Sequence, residues 1–140
     1  MTHRSSVFFI SDVFPQVIHA SKIQCVAIEE RLTAGGGIAR FENDGYMRTP
    51  DEFTGNPWFV CTLWLAEYYI AAAETEVDLQ RVEEILLRIA GQALPSGVLA
   101  EQMNPITGEH ISVSPLTWSH STYAAVVMEY LNKRRKLIKC

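Results

Sequence analysis

Glu101 and Gln102 open a loop that reads LAEQMNPITGEHISVSPLTWSHS from Leu99 to Ser121. A second loop, GGGIARFENDGYMRTPDEFTGNPW, begins at Gly35 and carries Arg40, Glu42, Asp44, Asp51 and Glu52. Carboxylates beside an arginine and tryptophans are equipment for sugars. Carboxylate and guanidinium take hydroxyls in bidentate fashion, and an aromatic face takes the C–H side of the ring. Other chemistries lack their residues. The chain has no HExxH, no cysteine pair at zinc spacing, no phosphate-cradling glycine turn followed by Lys-Ser/Thr, and no nucleophile elbow. No metal and no cofactor is expected. The triple glycine Gly35 to Gly37 reads as a helix stop followed by a close-packed loop.

Four helices are predicted to position these loops. The first runs from about Ser21 to Leu32: Ser21 and Gln24 have capping-box spacing, and Cys25, Ile28 and Leu32 share one face. The second starts at Asn56-Pro57, an N-cap followed by proline at the first helical position, and continues as WFVCTLWLAEYYIAAAE, apolar nearly all round. The third, about Thr75 to Gly91, carries Leu79, Val82, Leu86 and Ile89 at helical spacing, with charges elsewhere. The fourth, about Thr117 to Lys133, begins WSHSTYAAVVMEYL and ends basic. Amphipathic and all-apolar helices thus alternate, and all-apolar helices need a second layer outside them. In such a two-layer array the loops 34–55 and 93–116 emerge at one end, where binding and chemistry usually sit. Strand signals are few: HISVS at His110 to Ser114, and Val7 to Ile10. The fold class expected is all-α.

Bulk properties bound the partners. At 140 residues the chain suits one domain, and its net charge of -4 argues against a nucleic-acid footprint, which needs a basic face. The basic cluster Lys133, Arg134, Arg135, Lys136 and Lys139 lies in the tail 133–140, where it complements a helix macrodipole. The longest apolar run, Trp58 to Ala73, is interrupted by Thr62 and Glu67 and is too short to span a membrane. Cys25, Cys61 and Cys140 have no metal spacing and cannot all pair; two lie inside apolar segments, so buried free thiols in a reducing compartment are expected. The lead 1–16 carries no recognisable export signal, so a cytoplasmic location is expected.

GNPWFVCTLWLAEYY, RFENDGY and the pattern E-Q-x5-G-E-x2-S-x4-T-W-S resemble the C-terminal part of the glucoamylase-type glycoside hydrolases, family 15, which includes glucodextranases and some trehalases. The likeness covers about Gly35 to Leu131. It implies that the chain forms about the last third of an (α/α)6 barrel, with α-glucan oligosaccharides or disaccharides as substrates. The implied reaction is inverting hydrolysis that releases glucose from non-reducing ends. By the same resemblance Glu101 is the general base, Arg40 and Asp44 hold the sugar, Ser112 hydrogen-bonds the base, and Trp118 lies beneath the sugar. An inverting enzyme sets its acid and base roughly 6.5 to 9.5 Å apart, leaving room for a water.

Each residue also has a plainer reading. Glu101 alone would be a solvated loop carboxylate, Arg40 and Asp44 at i, i+4 a weak surface pair, and Trp118 a core aromatic. Trp58 and Trp64 are assigned to the core, His120 to a structural hydrogen bond, and His110 to the loop. The family's general acid lies upstream of the matched region. The chain is therefore expected to be one segment, 1–140, of a larger catalytic domain, inactive alone. The alternative is a catalytically inactive fragment or sugar-binding helical remnant. Four helices in place of a ring expose apolar flanks, so the remainder of the barrel or a second copy is the expected protein partner.

Overall fold

The computed structural model describes residues 15–48 and 52–139. Four α-helices dominate: α1 (Pro15–Leu32), α2 (Phe59–Ala72), α3 (Gln80–Gln92) and α4 (Thr117–Ile138). The lead before Pro15, with its strand-like Val7 to Ile10, lies outside the described residues.

The all-α expectation needs correction. A five-stranded antiparallel sheet, β1 (Thr33–Ala34), β2 (Gly37–Ala39), β3 (Pro57–Trp58), β4 (Gln102–Met103) and β5 (His110–Ile111), runs in the order β1-β2-β3-β4-β5. Its register pairs Ala34 with Gly37, Ile38 with Trp58, Trp58 with Gln102, and Gln102 with Ile111. Strands of two or three residues are too short to display period-two alternation, and their partners are distant in sequence. Only HISVS signalled one, at β5. The architecture is therefore mostly helical with a small sheet.

The triple glycine makes the β1–β2 turn. Gly35 and Gly36 both have positive φ, 54° and 85°, as a two-residue hairpin loop of mirror-image type requires. A Cβ on Gly35 would meet the Pro105 carbonyl at 2.1 Å, and one on Gly36 the Arg88 guanidinium at 1.5 Å.

Helix starts also differ from expectation. Ser21 lies inside α1 rather than capping it. Helix α2 begins at Phe59, and Trp58 caps it with no side-chain hydrogen bond; instead the Glu101 carbonyl accepts the Phe59 N–H at 3.2 Å. Before α3 the Asp78 carboxylate accepts the Glu74 and Thr75 N–H groups at 3.0 and 2.8 Å, which holds its pKa below the ordinary range.

Helix α2 is the centre of the core, packing on α4 and α3 with Phe59, Leu63, Ala66 and Ile70 buried. Helix α3 contributes Val82, Ile85, Leu86 and Ile89. Helix α4, expected to be buried all round, buries a single stripe: Ser119, Thr122, Val126 and Tyr130. One side of α2 is open as well, so Trp64, assigned above to the core, is 48% exposed. An all-apolar helix has no polar stripe to reveal which side its neighbours leave bare. Trp58, by contrast, is buried. Among the described residues no helix is long and apolar enough to cross a membrane.

Candidate active site

The sheet ties the two long loops into one rim. Arg40 follows β2 directly, and its guanidinium forks onto Asp44: Nε donates to Oδ2 at 3.0 Å and Nη2 to Oδ1 at 3.1 Å. The guanidinium also stacks 4.6 Å from the Trp58 ring centre and 4.8 Å from that of Phe41. Asp44 is buried, and its Oδ1 additionally accepts the Tyr46 N–H at 3.1 Å. The bland reading of a loose surface pair therefore does not describe Arg40 and Asp44. A bidentate pair on an aromatic floor has a fixed orientation, and the guanidinium is still partly open to solvent.

Glu101 is half-buried with its backbone fixed on both sides. Its N–H donates to the Val113 carbonyl at 2.9 Å while its own carbonyl receives the α2 N-terminus. Its side chain is held asymmetrically. Oε2 accepts the Ser112 hydroxyl at 2.5 Å and the Gln102 amide at 3.1 Å. Oε1 accepts no hydrogen bond among the described residues, and it is not one of the buried polar atoms left without a partner. Ser112 adopts a left-handed backbone, φ 68°, the kind of local strain that collects at functional sites.

Behind the carboxylate lies a buried amide pair that the sequence reading did not single out. Gln102 is fully buried; its Oε1 accepts Asn56 Nδ2 at 3.1 Å, and that nitrogen also donates to the Met47 carbonyl at 2.8 Å. Asn56 thus joins the two loops instead of capping α2. Tyr46 completes the link from the front, its hydroxyl 3.5 Å from Ser112 Oγ. Asn56 and Gln102 stand inside the GNPW and Glu-Gln motifs. What misled for Asn56 was position, because Asn before Pro fits a helix cap.

Trp118 lies at the start of α4, 51% exposed, its ring 5.6 Å from that of Trp64 in an edge-on arrangement. The core alternative for Trp118 fails. Ser119 Oγ donates to the Ala100 carbonyl at 2.7 Å, and His120 Nε2 accepts the Leu99 N–H at 3.0 Å, which anchors α4 to the segment bearing Glu101. His120 has the structural role expected of it. His110 is more than a loop residue: Nε2 lies 2.8 Å from the Gln92 carbonyl and its ring packs edge-on against Phe59.

Arg40, Asp44, Glu101 and Ser112 are thus joined through Tyr46 in one hydrogen-bonded rim, with Trp118 anchored next to it on α4. Among the described residues no group of three or more His, Cys, Asp or Glu side chains could hold a metal. The rim can orient a polyhydroxy ligand with an arginine and an aromatic ring, and offer one unencumbered carboxylate oxygen as a proton acceptor.

Comparison with known proteins agrees in kind. The chain is 29% identical over 103 residues to an uncharacterized glycosyl hydrolase of Methanocaldococcus jannaschii, an alignment covering 67% of this chain and 16% of that protein. The chain spans a small part of the relative's length. No protein-family signature matches the chain, and no solved structure does. The similarity supports a glycosidase-type relationship.

Proposed function

We propose that this chain carries the base-bearing part of an inverting, exo-acting α-glucosidase site of the glucoamylase type, within part of an (α/α)6 barrel. The observation that carries the reading is the asymmetric hold on Glu101: Ser112 and Gln102 fix Oε2, leaving Oε1 to take a proton from water. That water attacks the anomeric carbon as the glycosidic bond breaks, and a carboxylic acid from outside this chain protonates the leaving oxygen. Arg40, oriented by Asp44, grips sugar hydroxyls, and Trp118 offers its face to the ring. The similarity of this chain to a protein named as an uncharacterized glycosyl hydrolase supports the class. Buried Cys25 and half-buried Cys61 have their thiols pushed up to about 11 chiefly by burial, which leaves them protonated and unreactive.

Sugar binding by the chain tests the reading without requiring turnover. Titration with maltose, isomaltose and trehalose should quench tryptophan emission; Arg40→Ala should weaken binding at least about tenfold, a loss typical of a charge-assisted contact. Equal binding by Arg40→Ala would contradict the assignment.

A further inference from the structure

The acceptors at the two ends of the buried amide pair fix its polarity. The Met47 carbonyl can only accept, so the Asn56 atom 2.8 Å from it is the nitrogen, Nδ2. That nitrogen can only donate, so the Gln102 atom 3.1 Å away is the oxygen, Oε1, and the Gln102 nitrogen is turned to Glu101 Oε2 at 3.1 Å. A reversed Gln102 would set nitrogen against nitrogen at Asn56 and oxygen against oxygen at Glu101. Two hydrogen bonds would go unmade at once, where Asn56 is 1% and Gln102 0% exposed. The backbone on both sides of the pair is fixed too. Gln102 lies in β4 between Trp58 and Ile111, and Met47 holds a left-handed backbone, φ 53°, a conformation its bulky side chain disfavours and its surroundings impose.

We propose that Asn56 is a positioning residue: it makes Gln102 a donor that cannot turn round, and so keeps Glu101 Oε2 an acceptor throughout turnover. This role presupposes that Glu101 is the water-activating base. Once Glu101 has taken a proton from the attacking water, an unrestrained amide could reverse and accept that proton from the Oε2 side. The locked amide cannot. The proton therefore stays on Oε1, the oxygen that received it, and leaves from there to solvent water. Asn56 acts through Gln102, one residue removed from the reacting atoms.

Nuclear magnetic resonance of the chain reads the lock without turnover. Glu101→Gln should move one Gln102 side-chain amide proton upfield, because a neutral acceptor replaces a charged one. In Asn56→Asp, whose carboxylate cannot donate and draws the Gln102 nitrogen to itself, the same change should leave that proton in place. Glucose release from maltose by the full-length protein gives the second readout. Asn56→Asp should lower kcat at least about tenfold with KM within about threefold, the scale of a reversed hydrogen bond to a charged group. Asn56→Ser, too short to reach both partners, should fall between Asn56→Asp and wild type. A Gln102 amide that ignores Glu101→Gln in the wild-type background, one that responds equally after Asn56→Asp, or Asn56 variants with wild-type kcat would each overturn the proposal. Loss of fold in both variants would also overturn it, by assigning Asn56 to folding alone. If the full-length protein releases no glucose, the base reading fails, and the amide resonances still decide the lock.

Discussion

Two sets of carboxylates in this molecule differ in everything but their chemistry. Glu101 sits on the loop rim with one oxygen held by a hydroxyl and an amide, while Glu67 and Glu129 sit on α2 and α4 with burial and each other's charge as company. The first arrangement is built: the hydroxyl of a strained serine and the Gln102 amide converge on one oxygen, and Asn56 holds Gln102 from behind. The second is sparse, two half-buried carboxyls with no hydrogen bond or ion pair among the described residues. What the difference teaches is that burial alone does not mark a site; the partners supplied to the buried group do.

Breaking the built side should cost most. Asp44→Ala leaves the Arg40 guanidinium on Trp58 without its fork and empties a buried site, a loss of about 2 kcal/mol because only the aspartate side of the pair is buried. Denaturant unfolding should register that loss together with loss of sugar binding. Unchanged stability would mean the Arg40–Asp44 fork is incidental.

Gln102→Ala should cost about 2 kcal/mol, since it leaves the Asn56 amide buried without its partner, and should leave Ser112 as the sole support of Glu101. Gln102→Glu, of equal size, should be worse for sugar binding than for folding, because it sets a second negative charge against Glu101. If both variants unfold at the wild-type midpoint, the amide pair does not join the loops energetically.

The smallest effect belongs to the sparse side. Glu67 titrates near 7 in the folded chain and near 4.3 when unfolded, so the folded state binds the proton more tightly. Folding is thus favoured below the unfolded value, and the contribution is lost as pH rises through 7. Glu67→Gln should match wild type at about pH 4 and exceed it by about 1 kcal/mol at about pH 8, a modest figure because solvent reaches the group. A difference independent of pH would remove Glu67 from the account.

Much of this was legible in residue order. The four helices, the α3 core face and the shared end of the two long loops follow from periodicity and from Gly and Pro placement. The motif letters around Arg40, Asp44, Glu101 and Ser112 picked out residues that the fold links through hydrogen bonds, while Trp118 stands against Trp64 at the start of α4. The sheet was hidden because each strand is two or three residues long and is paired through contacts distant in sequence. Asn56 and Trp64 were misread for a related reason: a cap signal and an apolar helix describe local preference, and tertiary neighbours decide which side chain is turned inward.

The central claim is that Glu101 is the water-activating base, and glucose release by the full-length protein from α-glucosides tests it most directly. The account predicts that Glu101→Gln lowers the rate by about 10³-fold, the scale of a lost general base, with the unfolding midpoint unchanged. Glucose release by Glu101→Gln at the wild-type rate would contradict it.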